Sequence, residues 1–299
     1  MNKNLQLFRA RRIHFVSRVS GLLIITLLGA CASALNSGRS DSASNRTLAL
    51  ASPASAEVIQ ALAPTGVLRV GAYPGSPTSM VRDASTGQHV GITFEMGQML
   101  AKQLGVPMKL VEYSRVAQVI EGVKTGAVDF TFTNATEIRA KDMNFAQPLV
   151  KLELGYLVPS AGQATRLITK IDDIDRPGVR VGVSQGSSSQ GVLGKQFKSA
   201  TLVTADSLKL AQDLLSQGRI DAFATNKGIL FEMAETLTGV RILEGRWGIE
   251  NLAIAMQKSG PAREAALEYL RRFGAQLQAS GELAAMIKRA ALKGVAVDE

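Results

Sequence analysis

Residues 116–139 read VAQVIEGVKTGAVDFTFTNATEIR, and two hydrophobic periods meet inside them. From Val116 to Lys124 the apolar residues recur at three- and four-residue spacing, the mark of one helical face. Gly126 ends that pattern and heads Val128-Asp129-Phe130-Thr131-Phe132, a short apolar run that reads as a strand. Upstream the alternation repeats. Val67 to Gly71 is a short apolar strand, and Phe94 to Leu104 (FEMGQMLAKQL) spaces its apolar residues for one helical face. Gly105 then supplies a helix stop, and Met108 to Val111 is the next strand. Strand, helix, strand, helix, strand predicts a parallel sheet.

A second series follows Leu152 to Val158. Val179 to Val183 reads as a strand, a helix opens near Ser188, and Thr201 to Val203 is again a strand. A helix from Ser207 to Gln217 and a strand from Ala222 to Ala224 complete it. Asn251 to Met256 (NLAIAM) is a further strand, and the amphipathic helices Ala262 to Ala279 and Gly281 to Leu292 need a sheet to cover. No repeat of 20 to 50 residues is evident, which excludes solenoids and propellers.

The 299 residues are 46% hydrophobic, enough for a sizeable core in one or two domains, and a lone Cys excludes a disulfide scaffold. Of the net charge of +9, the five basic residues Lys3, Arg9, Arg11, Arg12 and Arg18 supply 5, so the rest of the chain carries +4. Those charges form no basic stripe interleaved with aromatics, which argues against nucleic acid as a partner. The basic start is followed by Gly21 to Ala30 (GLLIITLLGA) and then small residues, the order of a secretory signal and too short a run for a membrane span. Leu28-Gly29-Ala30-Cys31 resembles the lipobox of bacterial lipoproteins, with Cys31 as the lipidated residue; Ala32-Ser33-Ala34 is a competing site for ordinary signal peptidase. Residues 1–31 are therefore expected to be a signal peptide and 32–63 a flexible Ala/Ser-rich linker.

Four segments carry a family resemblance. They are Gly66-Val67-Leu68-Arg69-Val70-Gly71; Gly91 to Leu104 with Leu104-Gly105-Val106; Gly126-Ala127-Val128-Asp129 leading to Thr136-Glu137-Ile138-Arg139 and Phe145-Ala146-Gln147-Pro148; and Gly178 to Ser188. In order and spacing the chain resembles family 3 of the bacterial extracellular solute-binding proteins, the polar amino-acid receptors of ABC importers, over roughly residues 64 to 295. The resemblance implies an α/β fold of the type II periplasmic binding-protein kind, two α/β lobes with a ligand cleft and two crossover strands. Lobe 1 would be 64–151 with 253–299, and lobe 2 would be 152–252. It also implies a monomeric receptor, in the periplasm or on the cell envelope as a lipoprotein, that hands a solute to a membrane permease, with no cofactor.

Arg139 follows a strand in a stretch rich in small polar residues, and a guanidinium offers a planar fork to a carboxylate. By resemblance Arg139 grips the ligand carboxylate, with Thr131 and Asn134 beside it. Ser184-Gln185-Gly186-Ser187-Ser188-Ser189 follows a strand and opens a helix, leaving free N–H groups and hydroxyls at its start. By resemblance Ser187 and Ser188 contact the ligand; helix capping is the other reading of either serine. Tyr73 and Trp247 are candidate cleft aromatics.

Gly182-Val183-Ser184-Gln185-Gly186 has the form of a hydrolase elbow, but no His follows it; the only two are His14 and His89. Two His and one Cys do not make an ordinary zinc site. The acid that in the family holds a ligand ammonium falls on Asn226, five residues after Asp221 of Gly218-Arg219-Ile220-Asp221, and the other acidic contact falls near Tyr73. The sequence thus predicts a small anionic solute with no free ammonium, held by Arg139 with Thr131, Asn134, Ser187, Ser188 and Asn226. The alternative is a periplasmic dehydratase-like enzyme acting on a cyclic carboxylic acid, with Glu153, Glu95 or Lys227 as general acid.

The mature protein is expected to lack residues 1 to 30 and, if lipidated, to begin at a diacylated Cys31. Mass spectrometry of the mature N-terminus checks this, and Cys31→Ser should release the protein in soluble or unprocessed form.

Overall fold

The computed structural model describes residues 53–83, 85–160 and 168–296. The expected signal peptide, Cys31 and most of the expected linker lie outside them. Residues 56–62, assigned to that linker from the sequence, instead form helix α1 (Ala56–Leu62). Ser55 accepts a hydrogen bond from the Val58 N–H, and Val58, Ala61 and Leu62 turn one face into the core. Three apolar side chains on one face outweigh the surrounding Ala and Ser.

The chain continues through β1 (Leu68–Ala72), the two-residue strands β2 (Val81–Arg82) and β3 (His89–Val90), α2 (Ile92–Leu104), β4 (Met108–Glu112) and α3 (Val116–Thr125). Then come β5 (Thr131–Asn134), α4 (Glu137–Ala140), β6 (Met143–Phe145) and the long β7 (Val150–Pro159). The second half holds β8 (Arg180–Ser184), α5 (Ser188–Gln196), β9 (Thr201–Ala205), α6 (Leu208–Ser216), β10 (Ala222–Asn226), α7 (Lys227–Thr236) and β11 (Val240–Ile242). It ends with the long β12 (Gly248–Gln257), α8 (Arg263–Ala279) and α9 (Glu282–Arg289). Gly105 closes α2 in the left-handed conformation at φ 70°, where its N–H caps the last turn.

The expected parallel pairing holds in pieces: β1 with β4, β8 with β9, and β10 with β8. It is interrupted by β7 and β12, which run antiparallel to each other, with Leu252 opposite Val150 and Gly248 opposite Leu154. β5 lies antiparallel to β12 on one edge, and β10 antiparallel to β7 on the other, so the sheet order is β5-β12-β7-β10-β8-β9. The strand expected at 128–132 is displaced toward the C-terminus because its partner is β12, which pairs with Thr131 to Asn134.

Of the four buried clusters among the described residues, three follow directly from this order. In the first lobe α1, α2, α8 and α9 bury Leu68, Met96, Phe130, Ile254, Leu270 and Met286 together. The second lobe has a core on each sheet face, because side chains alternate along a strand. Ala222 and Ala224 of β10 join Val181, Val183 and Leu193, while Phe223 joins Leu157, Leu214 and Met233. Each fully buried Val, Leu, Ile, Phe or Met among them contributes about 1.5–3 kcal/mol relative to exposure.

Both lobes use one clamp. Asp129 accepts from the Arg69 backbone N–H and Nε, both at 2.9 Å; Asp221 accepts from the Arg180 N–H at 2.8 Å and Nε at 3.0 Å. Each Asp closes a Gly-x-x-Asp segment and ties it to the start of the neighbouring strand. The hydrogen bonds hold Arg69 and Arg180 above their ordinary values. Asp129→Ala is expected to cost about 2 kcal/mol through its lost charged hydrogen bonds. Thermal unfolding should show a Tm fall of about 4–8 °C.

Candidate ligand-binding site

A cavity lies where strand ends and helix starts from both lobes converge. Three helices of nine or ten residues point their N-termini at it: α3 at Val116, α5 at Ser187 and Ser188, and α7 at Asn226. Their unpaired N–H groups and aligned dipoles favour negative charge there. Val116, Phe132, Ile229 and Leu252 form apolar wall.

Arg139 is buried at 9% exposure, and its Nη1 donates to Thr133 Oγ1 at 3.0 Å and to the Asn134 carbonyl at 3.1 Å. Both bonds use Nη1, and among the described residues none takes up Nη2 or Nε. Burial pulls the guanidinium below its ordinary value, opposed by the negative charge of Glu250. Thr136 caps α4 by accepting from the Arg139 N–H, which fixes where the side chain starts.

Glu250 was not singled out from the sequence. Its carboxylate, 7% exposed, accepts from Ser188 Oγ at 2.6 Å, Asn226 Nδ2 at 3.1 Å and, at the long limit, Asn134 Nδ2 at 3.5 Å. The signal was parity. Along β12, Ile249 and Asn251 are exposed while Glu250 and Leu252 are buried, so Glu250 faces inward with a cavity-lining Leu. The predicted strand began one residue later, at Asn251, which left the acid outside it. The expectation that the cleft has no carboxylate is therefore overturned.

Of the other expected residues, Asn134, Ser187, Ser188, Asn226 and Tyr73 line the cavity with Arg139. Ser187 and Asn226 also cap α5 and α7, so capping and site roles coincide. Thr131 is buried elsewhere, its hydroxyl donating to the Gly71 carbonyl at 2.9 Å; Thr133, two residues on, reaches the cavity. Trp247 packs against Tyr156, donates Nε1–H to the Gly155 carbonyl at 3.0 Å, and is not among the lining residues. Glu95 pairs with Arg289, and Glu153 with Lys227 and Arg246, all outside the cavity. Ser184 of the elbow-like stretch lines it, whereas His89 sits in the β2–β3 hairpin against Phe94. Among the described residues there is no metal-ligating cluster, and no helix is long and apolar enough to cross a membrane.

The lobes touch around the cavity. A Cβ on Gly186, at φ 70°, would lie 2.5 Å from Ala117 Cβ, and one on Gly75 would lie 3.2 Å from Leu208 Cδ1. Arg115 and Asp206 approach to 3.7 Å across the same gap.

The chain that builds this cavity matches one family over residues 68–292: bacterial extracellular solute-binding proteins, family 3. The chain belongs to that family. Among solved structures it resembles the solute receptor for L-cysteine of Neisseria gonorrhoeae, at 26% identity and a TM-score of 0.68, covering 79% of this chain and 94% of that one. A lysine-complexed binding component of an ABC transporter from Wolinella succinogenes matches at 26% identity and a TM-score of 0.64, over 75% and 95%. The ancestral amino acid-binding protein AncCDT-1, a precursor of cyclohexadienyl dehydratase, shares the fold at 23% identity and a TM-score of 0.65, over 77% and 98%. No curated protein matches the chain. In this chain the acid that lines the cavity with Arg139 stands on β12.

Asn226→Ala should remove both the α7 cap and one donor to Glu250. The cap alone is worth about 1 kcal/mol, so Tm should fall by at least about 2–4 °C. Gly at the same position, costing only a few tenths as a cap, should recover much of that loss in the same thermal scan.

Proposed function

We propose that this protein is an extracytoplasmic receptor for a small zwitterionic solute of the amino-acid class, which it delivers to the membrane permease of an ABC importer without chemical change. The observation that carries this is the presence of a buried cation and a buried anion, Arg139 and Glu250, on one cavity. Arg139 keeps Nη2 and Nε for a carboxylate, and the N-termini of α3, α5 and α7 add to the attraction. Glu250 supplies the counter-charge that an ammonium needs on leaving water, since an unpaired buried charge costs several kcal/mol. A purely anionic solute would gain Arg139 but meet repulsion from Glu250.

The expected lobe boundaries, 151/152 and 252/253, fall within β7 and β12, and we take these strands as the hinge about which the lobes close. The protein acts in this reading as a monomer, in the periplasm or tethered through Cys31. The similar receptor for L-cysteine from Neisseria and the lysine-complexed Wolinella protein support the solute class.

Calorimetry with paired ligands tests the proposal: each amino acid beside the same acid lacking its amino group. The amino form should bind more tightly. Glu250→Gln should weaken it by about 10- to 100-fold, corresponding to about 1.5–3 kcal/mol, and should narrow the gap between the pair. Arg139→Lys should weaken both members. Tighter binding of the des-amino acid, or its conversion during incubation, would refute the reading.

A further inference from the structure

Resting on that zwitterion reading, we infer that Tyr73 is a size filter and that this receptor selects amino acids with small side chains, of the size of glycine, alanine, serine or cysteine. The cavity's volume, counted over positions open to the centre of a water molecule, is about 40 Å³. One water needs about 10–15 Å³ in that measure, so the space holds about three. That is the scale of an amino acid's ammonium, Cα and carboxylate with one or two further atoms.

Tyr73 limits this space from a position it is not free to leave. It leaves the end of β1 in the first lobe, and its ring packs against the second-lobe core that includes Leu208, Phe223 and Ile229. Its backbone N–H donates to Ser79 Oγ at 2.8 Å. Its hydroxyl lies beside Ser76, whose own hydroxyl is 2.9 Å from that of Thr78. Burial pushes the Tyr73 phenol up to about 12, so it stays a neutral, fixed wall at ordinary pH. Tyr73 lines the same cavity as Arg139 and Glu250, so its ring takes up cleft space that a longer solute side chain would need.

Calorimetry on the wild-type protein with glycine, alanine, serine, cysteine, leucine, phenylalanine and lysine provides the first arm. The small set should bind at least about tenfold more tightly than the large set. Tyr73→Ala should shrink that preference by about tenfold or more, and Tyr73→Trp should weaken alanine more than glycine. The wild-type ranking and the Trp variant keep the test decisive if Tyr73→Ala does not fold. Leucine, phenylalanine or lysine binding the wild type as tightly as alanine would overturn the size filter while leaving the zwitterion reading intact. The outer groove of about 460 Å³ lined by Ile120, Ile138, Met143 and Val192, which shares Arg139 and Ser188 with the cavity, would then be where the long side chain lies. A wild type that binds no amino acid but binds des-amino acids would overturn both.

Discussion

The antiparallel ladder between β7 and β12 is the constraint on which the rest of the molecule depends. Each strand is ten residues long, and each serves both lobes: β12 takes β5 on its free edge and β7 takes β10. The first-lobe wall of the cavity, Phe132 to Asn134, is thereby hydrogen-bonded to β12, and the second-lobe wall, Thr225 and Asn226, to β7. Their separation is set by one sheet rather than by a loop. The same ladder carries Glu250 into the cavity, because pairing of Glu250 with Leu152 fixes which face of β12 turns inward.

Burying Arg139 and Glu250 near each other is costly unless their polar atoms are satisfied. The protein meets that cost with groups already needed for other purposes. Thr133 and the Asn134 carbonyl hold Arg139; Ser188 and Asn226, residues at the starts of two helices, hold Glu250. Asn134 also accepts from the Asn251 N–H at 3.0 Å, tying β5 to the residue after Glu250. A helix cap, a strand pair and a charged site are built from one set of side chains. Such shared use gives the site preorganisation, since Asn226 cannot turn away without losing a helix cap, nor Asn134 without losing its bond to β12.

Contacts across the cleft mouth point to closure as a matter of tight steric fit. Gly186 and Ala117 approach too closely for any larger residue at 186, and Tyr73 spans from one lobe into the core of the other. The charge pair at the rim, Arg115 with the exposed Asp206, contributes at most about 1 kcal/mol. Packing therefore dominates the lobe contact, and the charged groups inside set what is accepted.

Local chemistry determined much of this protein from sequence alone. Helix α3, the end of its pattern at Gly126 and the capping reading of Ser187 follow from spacing within a few residues, while the family and the role of Arg139 come from a resemblance carried by four segments along the chain. Three things waited on tertiary structure. Residues 56–62 read as linker together with the Ala/Ser-rich stretch before them, and Val58 and Leu62 find an apolar surface to cover only once the first-lobe core, α8 included, is assembled. Thr131 and Thr133 lie on the same side of one strand, and the partner strand decides which reaches the cavity and which bonds to Gly71. Glu250 is more than 100 residues from Asn134 and Arg139, and its role arises only when β12 pairs with β5 and β7. Spacing along the chain encodes caps and turns, but the meeting of two charges in one cavity is decided by strand register across the whole fold.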